Sequence, residues 1–182
     1  MNYAIVTVGP RAVVGPALSS AILMANAPDA YPRDWRDGAG AFGRNYGSSL
    51  GRGASLQTGR FLTGALLHED FRYRPSTSRN PLARSFHAVA FTFVDKSDSG
   101  DNRIALANFV GAAAGGFVGE LYLPPGYNNL SHAETRTAAL FVSFAAQNLL
   151  REFAPDIQKA THKLHVPFPR IPVPGWWVSR TD

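Results

Sequence analysis

His68, Glu69 and Asp70 stand consecutively after an apolar run that ends at Leu67. An imidazole beside two carboxylates is the minimum equipment for general acid–base catalysis, and Arg72, two residues on, could hold an anionic substrate. Neighbouring residues on a helix point to different faces, so these three converge on a substrate only if other elements supply partners. The plainer reading is a polar helix end whose carboxylates pair with Arg72 or Arg74, because structural ion pairs account for most such clusters. His162 and His165 lie three residues apart on one prospective helical face, a spacing that can ligate zinc. No third or fourth ligand accompanies them, so no metal is expected. The chain has no Gly-x-Ser-x-Gly, His-Glu-x-x-His or P-loop signature, and its glycine-rich 111–116 segment follows no βα unit. No nucleophile stands beside an evident base, and no cofactor is expected.

Arg36, Arg44, Arg52 and Arg60 recur every eight residues, with Phe42 and Tyr46 among them. Eight helical steps drift by about 80°, so the arginines describe a spiral and not a stripe. A nucleic-acid face is disfavoured, because no recognisable binding module accompanies them. Arginine stems that cover apolar surface explain the same pattern. The net charge of +5 reads first as a solvated basic surface and second as attraction to nucleic acid or anionic lipid.

The elements that would position these groups are helical. Gly43, Gly47 and Gly51 form a Gly-x-x-x-Gly-x-x-x-Gly motif inside 38–67, and Ala39, Ser55, Gly59 and Thr63 extend its step of four. Gly111, Gly115 and Gly119 form a second such motif. Each interior glycine costs a helix about 1 kcal/mol against alanine, and close helix–helix approach is the usual compensation. Both ridges are therefore expected to be packing surfaces, with Gly51-Arg52-Gly53 a place where the first helix could break. Ala12 to Ala27 reads as a helix ended by Pro28. Asn80-Pro81 starts another that runs to about Ala90, with asparagine as N-cap and proline at the first helical position. Phe91 to Val94 alternates as a strand would, and Arg103 to Leu106 could return as a hairpin. Asn108 is expected to cap the second glycine helix. Ser131 and Glu134 make a capping box for a long helix to Phe153, which Pro155 interrupts before a last turn to His165. From residue 167 onward Pro167, Pro169, Pro172 and Pro174 enforce an extended tail that ends in Trp176-Trp177, a strap on the domain or a docking segment for a partner. The expected fold is thus mainly α: a single domain over residues 1–166, about five helices packed through small-residue ridges, and a Pro/Trp tail over 167–182.

The 182 residues suffice for one domain with a core. Charged residues make up only 17%, below the usual quarter, and a surface short of charge is most simply explained by a membrane or a partner against it. There is no cysteine, which excludes disulfides and thiolate metal sites. No apolar stretch reaches the ~18 residues of a spanning helix. Residues 1–27 imitate a signal peptide, with Arg11 before the apolar run and Ala25-Asn26-Ala27 as a small-x-small site, but Pro28 disfavours cleavage.

Six segments stand out between about Gly38 and Ile157: Phe42-Gly43-Arg44-Asn45-Tyr46-Gly47, Leu66 to Tyr73 (LLHEDFRY), Asp98-Ser99-Gly100, Asn108 to Gly111, Tyr122-Leu123-Pro124 and Glu152 to Ile157 (EFAPDI). In them the chain resembles a family of bacterial envelope-type proteins with no assigned activity. Phe71 departs from it, standing where that family usually has proline. The resemblance implies an exported helical protein. With the low charge, it leads to the expectation of a non-enzymatic structural or accessory protein of the cell envelope. Such a protein would pack against a membrane or a larger assembly through its two glycine ridges, with a protein partner or its own copies as the contact. A small enzyme using His68, Glu69 and Asp70 and a basic nucleic-acid module are the alternatives.

Overall fold

The computed structural model describes residues 10–27, 31–70, 73–97 and 100–163. The fold is mainly helical with one small antiparallel sheet. In chain order the elements are α1 (Pro10–Ala25), α2 (Arg33–Arg36), α3 (Gly38–Leu67), β1 (Glu69–Asp70), α4 (Pro81–Ala90), β2 (Val94–Ser97), β3 (Asn102–Ile104), α5 (Leu106–Phe117), a 3-10 turn at Val118–Leu121, and α6 (Leu130–Lys163). Helix α5 is central: α3 packs on it from one side and α6 from another, α1 leans on α3, and α4 lies against α6.

Close approach around α5 rests on its own glycines. A methyl group on Gly111 would collide with the Arg60 stem and come within 2.8 Å of the Leu56 carbonyl. One on Gly115 would stand 3.0 Å from both the Leu140 and Leu56 side chains. One on Gly116 would strike Thr137 and lie 2.9 Å from the Ala133 carbonyl. One on Gly119 would stand 2.8 Å from Leu123. The first ridge departs from expectation. A methyl group on Gly43 or Gly47 would have nothing within 4 Å among the described residues, and one on Gly51 would meet only Tyr122, its hydroxyl at 3.6 Å. On α3 it is Gly59, two steps beyond the motif, that lets the Gly111 backbone come close, with 3.2 Å left for a methyl group. Gly47→Ala is therefore expected to stabilise the isolated chain by about 0.5–1 kcal/mol, the helix-propensity gain alone. Urea titration measures it, and a loss of stability instead would reveal a contact on that ridge in solution.

Other local departures have identifiable causes. Helix α3 continues unbroken through Gly51-Arg52-Gly53 and ends at His68, which takes the left-handed conformation (φ 55°) and closes its N–H onto the Gly64 carbonyl. The hairpin is shifted three residues from the expected first strand, since 91–93 turn before β2 begins, and it gains a third strand because β1 pairs with β2 (Glu69 opposite Ser97). Asn108 does not cap α5. The helix starts earlier, Asn108 lies inside it, and its side-chain amide donates to the Thr92 carbonyl at 2.9 Å. The cap of α6 is Asn129 and not Ser131: its Oδ1 accepts from the His132 N–H at 3.1 Å. Pro155 does not interrupt α6, which runs through it to Lys163. The 167–182 tail with Trp176 and Trp177, as well as Arg72, His165 and the His162 side chain, lie outside what is described.

The interior has an unusual composition. Its hydrophobic centre is Leu56, Ala112 and Phe144, with Leu140 and Phe141 packed against it. The largest fully buried side chains are Glu152, Thr92 and Ser20, where leucine, isoleucine or phenylalanine would be usual.

Candidate functional site

Glu152 on α6 is 1% exposed, and among the described residues its side chain is met by Tyr73, Ser76 and Arg84. The Tyr73 hydroxyl donates to its Oε2 at 2.5 Å, the Ser76 N–H donates to the same oxygen at 2.9 Å, and Arg84 Nε donates to Oε1 at 2.7 Å. Arg84 also donates to the Glu152 carbonyl at 2.6 Å and pairs with Asp156 Oδ2 at 2.8 Å. Its guanidinium lies 4.5 Å from the centre of the Phe153 ring. The local reasons are legible. Asn80 caps α4 through the Leu82 N–H, which sets the helix phase so that Arg84 and Ala88 face α6. Asn148 reaches back to the Ala88 carbonyl at 3.3 Å, one turn before Glu152. Burial alone would raise the Glu152 pKa. The hydrogen bonds from Arg84, Tyr73 and Ser76 outweigh it and hold the carboxyl below its ordinary range. Burial, then the bond to Glu152, push the Tyr73 phenol up.

Beside this network lies a small pocket of about 30 Å³, room for one or two waters. Arg60 from α3, Asp95 from β2, Asn108 from α5 and Gln147, Asn148 and Arg151 from α6 supply its polar wall. Tyr73, Phe91 and Phe144 supply aromatic surface, and the Arg60 guanidinium stands 5.0 Å from the centre of the Phe144 ring. Burial lowers the Arg60 pKa to about 10, against a raising effect from Asp95, and burial also lowers that of Arg151. The Asp95 carboxyl is raised to about 7 by burial. Arg60 opposes that shift, while Glu69 and Asp70 add to it. Asp95 Oδ2 and Asn108 Oδ1 are buried with no hydrogen-bond partner among the described residues.

Because the folded Asp95 pKa lies above the unfolded value of about 3.9, the native state holds the extra proton between those limits. Its contribution to stability is present below the unfolded value and is lost as pH rises toward about 7. Melting temperatures across that window are expected to fall with rising pH, and Asp95→Asn is expected to flatten the slope. A wild-type slope that survives in Asp95→Asn would assign the effect to another group.

The residues singled out from the sequence do not gather here. His68 is exposed at the end of α3. Glu69 is buried, but its Oε2 accepts the Ala107 N–H at 2.9 Å and so caps the N-terminus of α5. Asp70 pairs with Arg74 at 3.1 Å. None of the three lines the pocket. The arginine spiral is divided among tasks: Arg36 faces Asp37, Arg44 bonds Asp34 through both its carbonyl and its carboxylate, and Arg60 is internal. Among the described residues, no group of three or more His, Asp or Glu is placed to hold a metal. Glu152, Arg84, Asp95 and Arg151 were not foreseen as a site. One signal lay in the chain nonetheless: Tyr73 closes the LLHEDFRY segment and Glu152 opens EFAPDI, and their 2.5 Å hydrogen bond joins those two segments across 79 residues. Compared with known proteins, the chain matches no family model, no curated protein and no solved structure.

Proposed function

We propose that this chain is a non-enzymatic structural or accessory protein of the cell envelope, and that it works packed against a larger protein assembly. The observation that carries the reading is the orientation of α4. Leu82, Phe86, Val89 and Phe93 follow steps of four, three and four, one stripe of a helix and its exit. All four are exposed, Leu82 by 70% and Phe86 by 75%. The opposite side carries Arg84, Ala88 and Phe91 into the interior. An amphipathic helix in a free-standing monomer would be turned the other way. Leu62 and Leu66 on α3, Leu121 after α5, and Val142 and Leu150 on α6 are also more than half exposed, and apolar surface on that scale marks contact sites.

A protein surface fits better than lipid. Helix α4 has ten residues, and Arg84, which a lipid-bound helix would turn to headgroups, is spent on Glu152 and Asp156. Among the described residues no helix is long and apolar enough to cross a membrane. The envelope assignment itself is supported by the family resemblance and the low charge. Replacing Leu82 and Phe86 together by glutamate leaves every buried contact in place. In velocity sedimentation of gentle extracts from the native source, the wild type is expected to run as part of a larger particle and the double variant as a monomer. A wild-type chain that runs alone, unaltered by the two glutamates, sinks the proposal.

A further inference from the structure

The exposed stripe of α4 has a definite period and a one-sided charge, and together they describe what fits it. Leu82, Phe86, Val89 and Phe93 follow the four-three-four spacing of a coiled-coil seam. The surface that covers such a seam best is another helix, whose side chains enter the gaps between successive anchors. The seam runs for about three helical turns. Helix α4 holds no acidic residue. At the start of the seam Arg79 is exposed, just before the N-cap Asn80. At its end Val94 follows Phe93 and pairs with Ile104, which is 64% exposed. Arg103 is the neighbour of Ile104 on that edge strand and is exposed as well. Neither Arg79 nor Arg103 has an ion pair among the described residues. The acids beside α4 are already taken, Asp70 by Arg74 and Asp156 by Arg84. Asp101 is exposed but lies farther out on the hairpin, beyond Asn102.

We propose that this face takes an amphipathic helix with acidic flanks, supplied by a protein partner. The inference names the partner of the contact proposed above and rests on that reading. Apolar anchors of the incoming helix fill the seam from Leu82 to Phe93, and its carboxylates meet Arg79 at one end and Arg103 at the other. The same charges argue against the two occupants that the chain itself could supply. A second copy, laid on the stripe in either direction, brings arginine against arginine, and like charges across an interface repel. The 164–182 segment carries Arg170 and Arg180 against the single acid Asp182, so it brings no acidic flank.

The test is fluorescence anisotropy with the intact purified chain and two labelled synthetic peptides. Both are amphipathic helices with the same leucine seam, one flanked by glutamates and one by lysines. The glutamate peptide is expected to bind at least about tenfold more tightly than the lysine peptide, with the gap narrowing as ionic strength rises. Leu82→Ala with Phe86→Ala removes apolar surface at two exposed positions, adds no charge, and is expected to lose most of the binding of both peptides. Arg79→Gln with Arg103→Gln is expected to bring the two peptides within about threefold of each other, and Arg79→Glu with Arg103→Glu to reverse their order. Equal binding of the two peptides by the wild type overturns the acidic assignment. Binding that survives Leu82→Ala with Phe86→Ala overturns the seam. A wild-type chain that dimerises through this face in sedimentation equilibrium assigns it to a second copy, and tighter peptide binding by Trp176→Ala with Trp177→Ala assigns it to the tail. Either result overturns the proposal. A glutamate peptide that fails to bind, while the wild type still runs in a particle from native extracts, removes the acidic helix and leaves the assembly reading standing.

Discussion

Glu152→Ala is expected to lower the stability of the chain by about 3 kcal/mol or more, because it removes one member of a buried, hydrogen-bonded ion pair and strands the rest. The Tyr73 hydroxyl, the Ser76 N–H and Arg84 all converge on that one carboxylate, and the lost partners cannot be replaced by water at a side chain with no exposure. Glu152→Gln keeps the volume and one acceptor oxygen, so it should cost less. Its amide nitrogen cannot satisfy both Tyr73 and Arg84 as donors. The pH dependence separates charge from packing. The folded pKa of Glu152 is depressed, so its charge contributes stability above the unfolded value of about 4.3 and loses it as pH falls through the lower folded value. Thermal melts of wild type and Glu152→Gln should therefore differ near neutrality and draw together in acid. A gap that stays constant at acid pH would mean that the amide disturbs packing and that the ion pair contributes little.

How much of this was legible in the sequence follows from the range over which each signal acts. Local punctuation was readable. Asn80-Pro81 starts α4 as its residue types require. A methyl group added at Gly111, Gly115 or Gly119 would meet neighbouring groups, whereas one at Gly43 or Gly47 would meet nothing within 4 Å among the described residues. Spacing at four does not distinguish the two cases, because a periodic stripe says that a face is bare and not which neighbour, if any, lies against it. Capping failed where tertiary groups compete. Asn108 reads as an N-cap, but the carboxylate of Glu69, 38 residues before the Ala107 N–H that it accepts, takes the α5 terminus, and Asn108 binds Thr92 instead. The same competition hid the site. Glu152 in a helix with charged and amide neighbours looks like a solvated residue, and only the arrival of Tyr73, Ser76 and Arg84 from far along the chain makes it internal. The inverted face of α4 was unreadable for a related reason. Periodicity gives the contrast between two faces, whereas which face turns inward depends on what α6 offers, and here it offers a carboxylate.

The glycines of α5 make the second large effect a matter of backbone and not of side chains. Gly116→Ala is expected to destabilise the fold by about 1–3 kcal/mol, although alanine is the better helix former by about 1 kcal/mol. The added methyl would strike the Thr137 hydroxyl, which is held by its own bond to the Ala133 carbonyl at 2.8 Å. Turning that hydroxyl away would not make room, because the Ala133 carbonyl and the Thr137 N–H stand at 2.9 Å, and both belong to the α6 backbone. Relief requires α5 and α6 to part. Arg136, whose Nε bonds the Gly116 carbonyl at 2.8 Å, would lose its register in the same movement. Thr137→Ala tests the cause, since it removes the hydroxyl that the added methyl would strike and leaves the α6 backbone in place. Combined with Gly116→Ala it should recover little if the α6 backbone is the obstacle, and most of the loss if the side chain is. Denaturant unfolding of the two single variants and the double variant completes the cycle. A Gly116→Ala variant as stable as the wild type would mean that α5 and α6 do not approach this closely in solution, and it would remove the physical basis for the central position of α5.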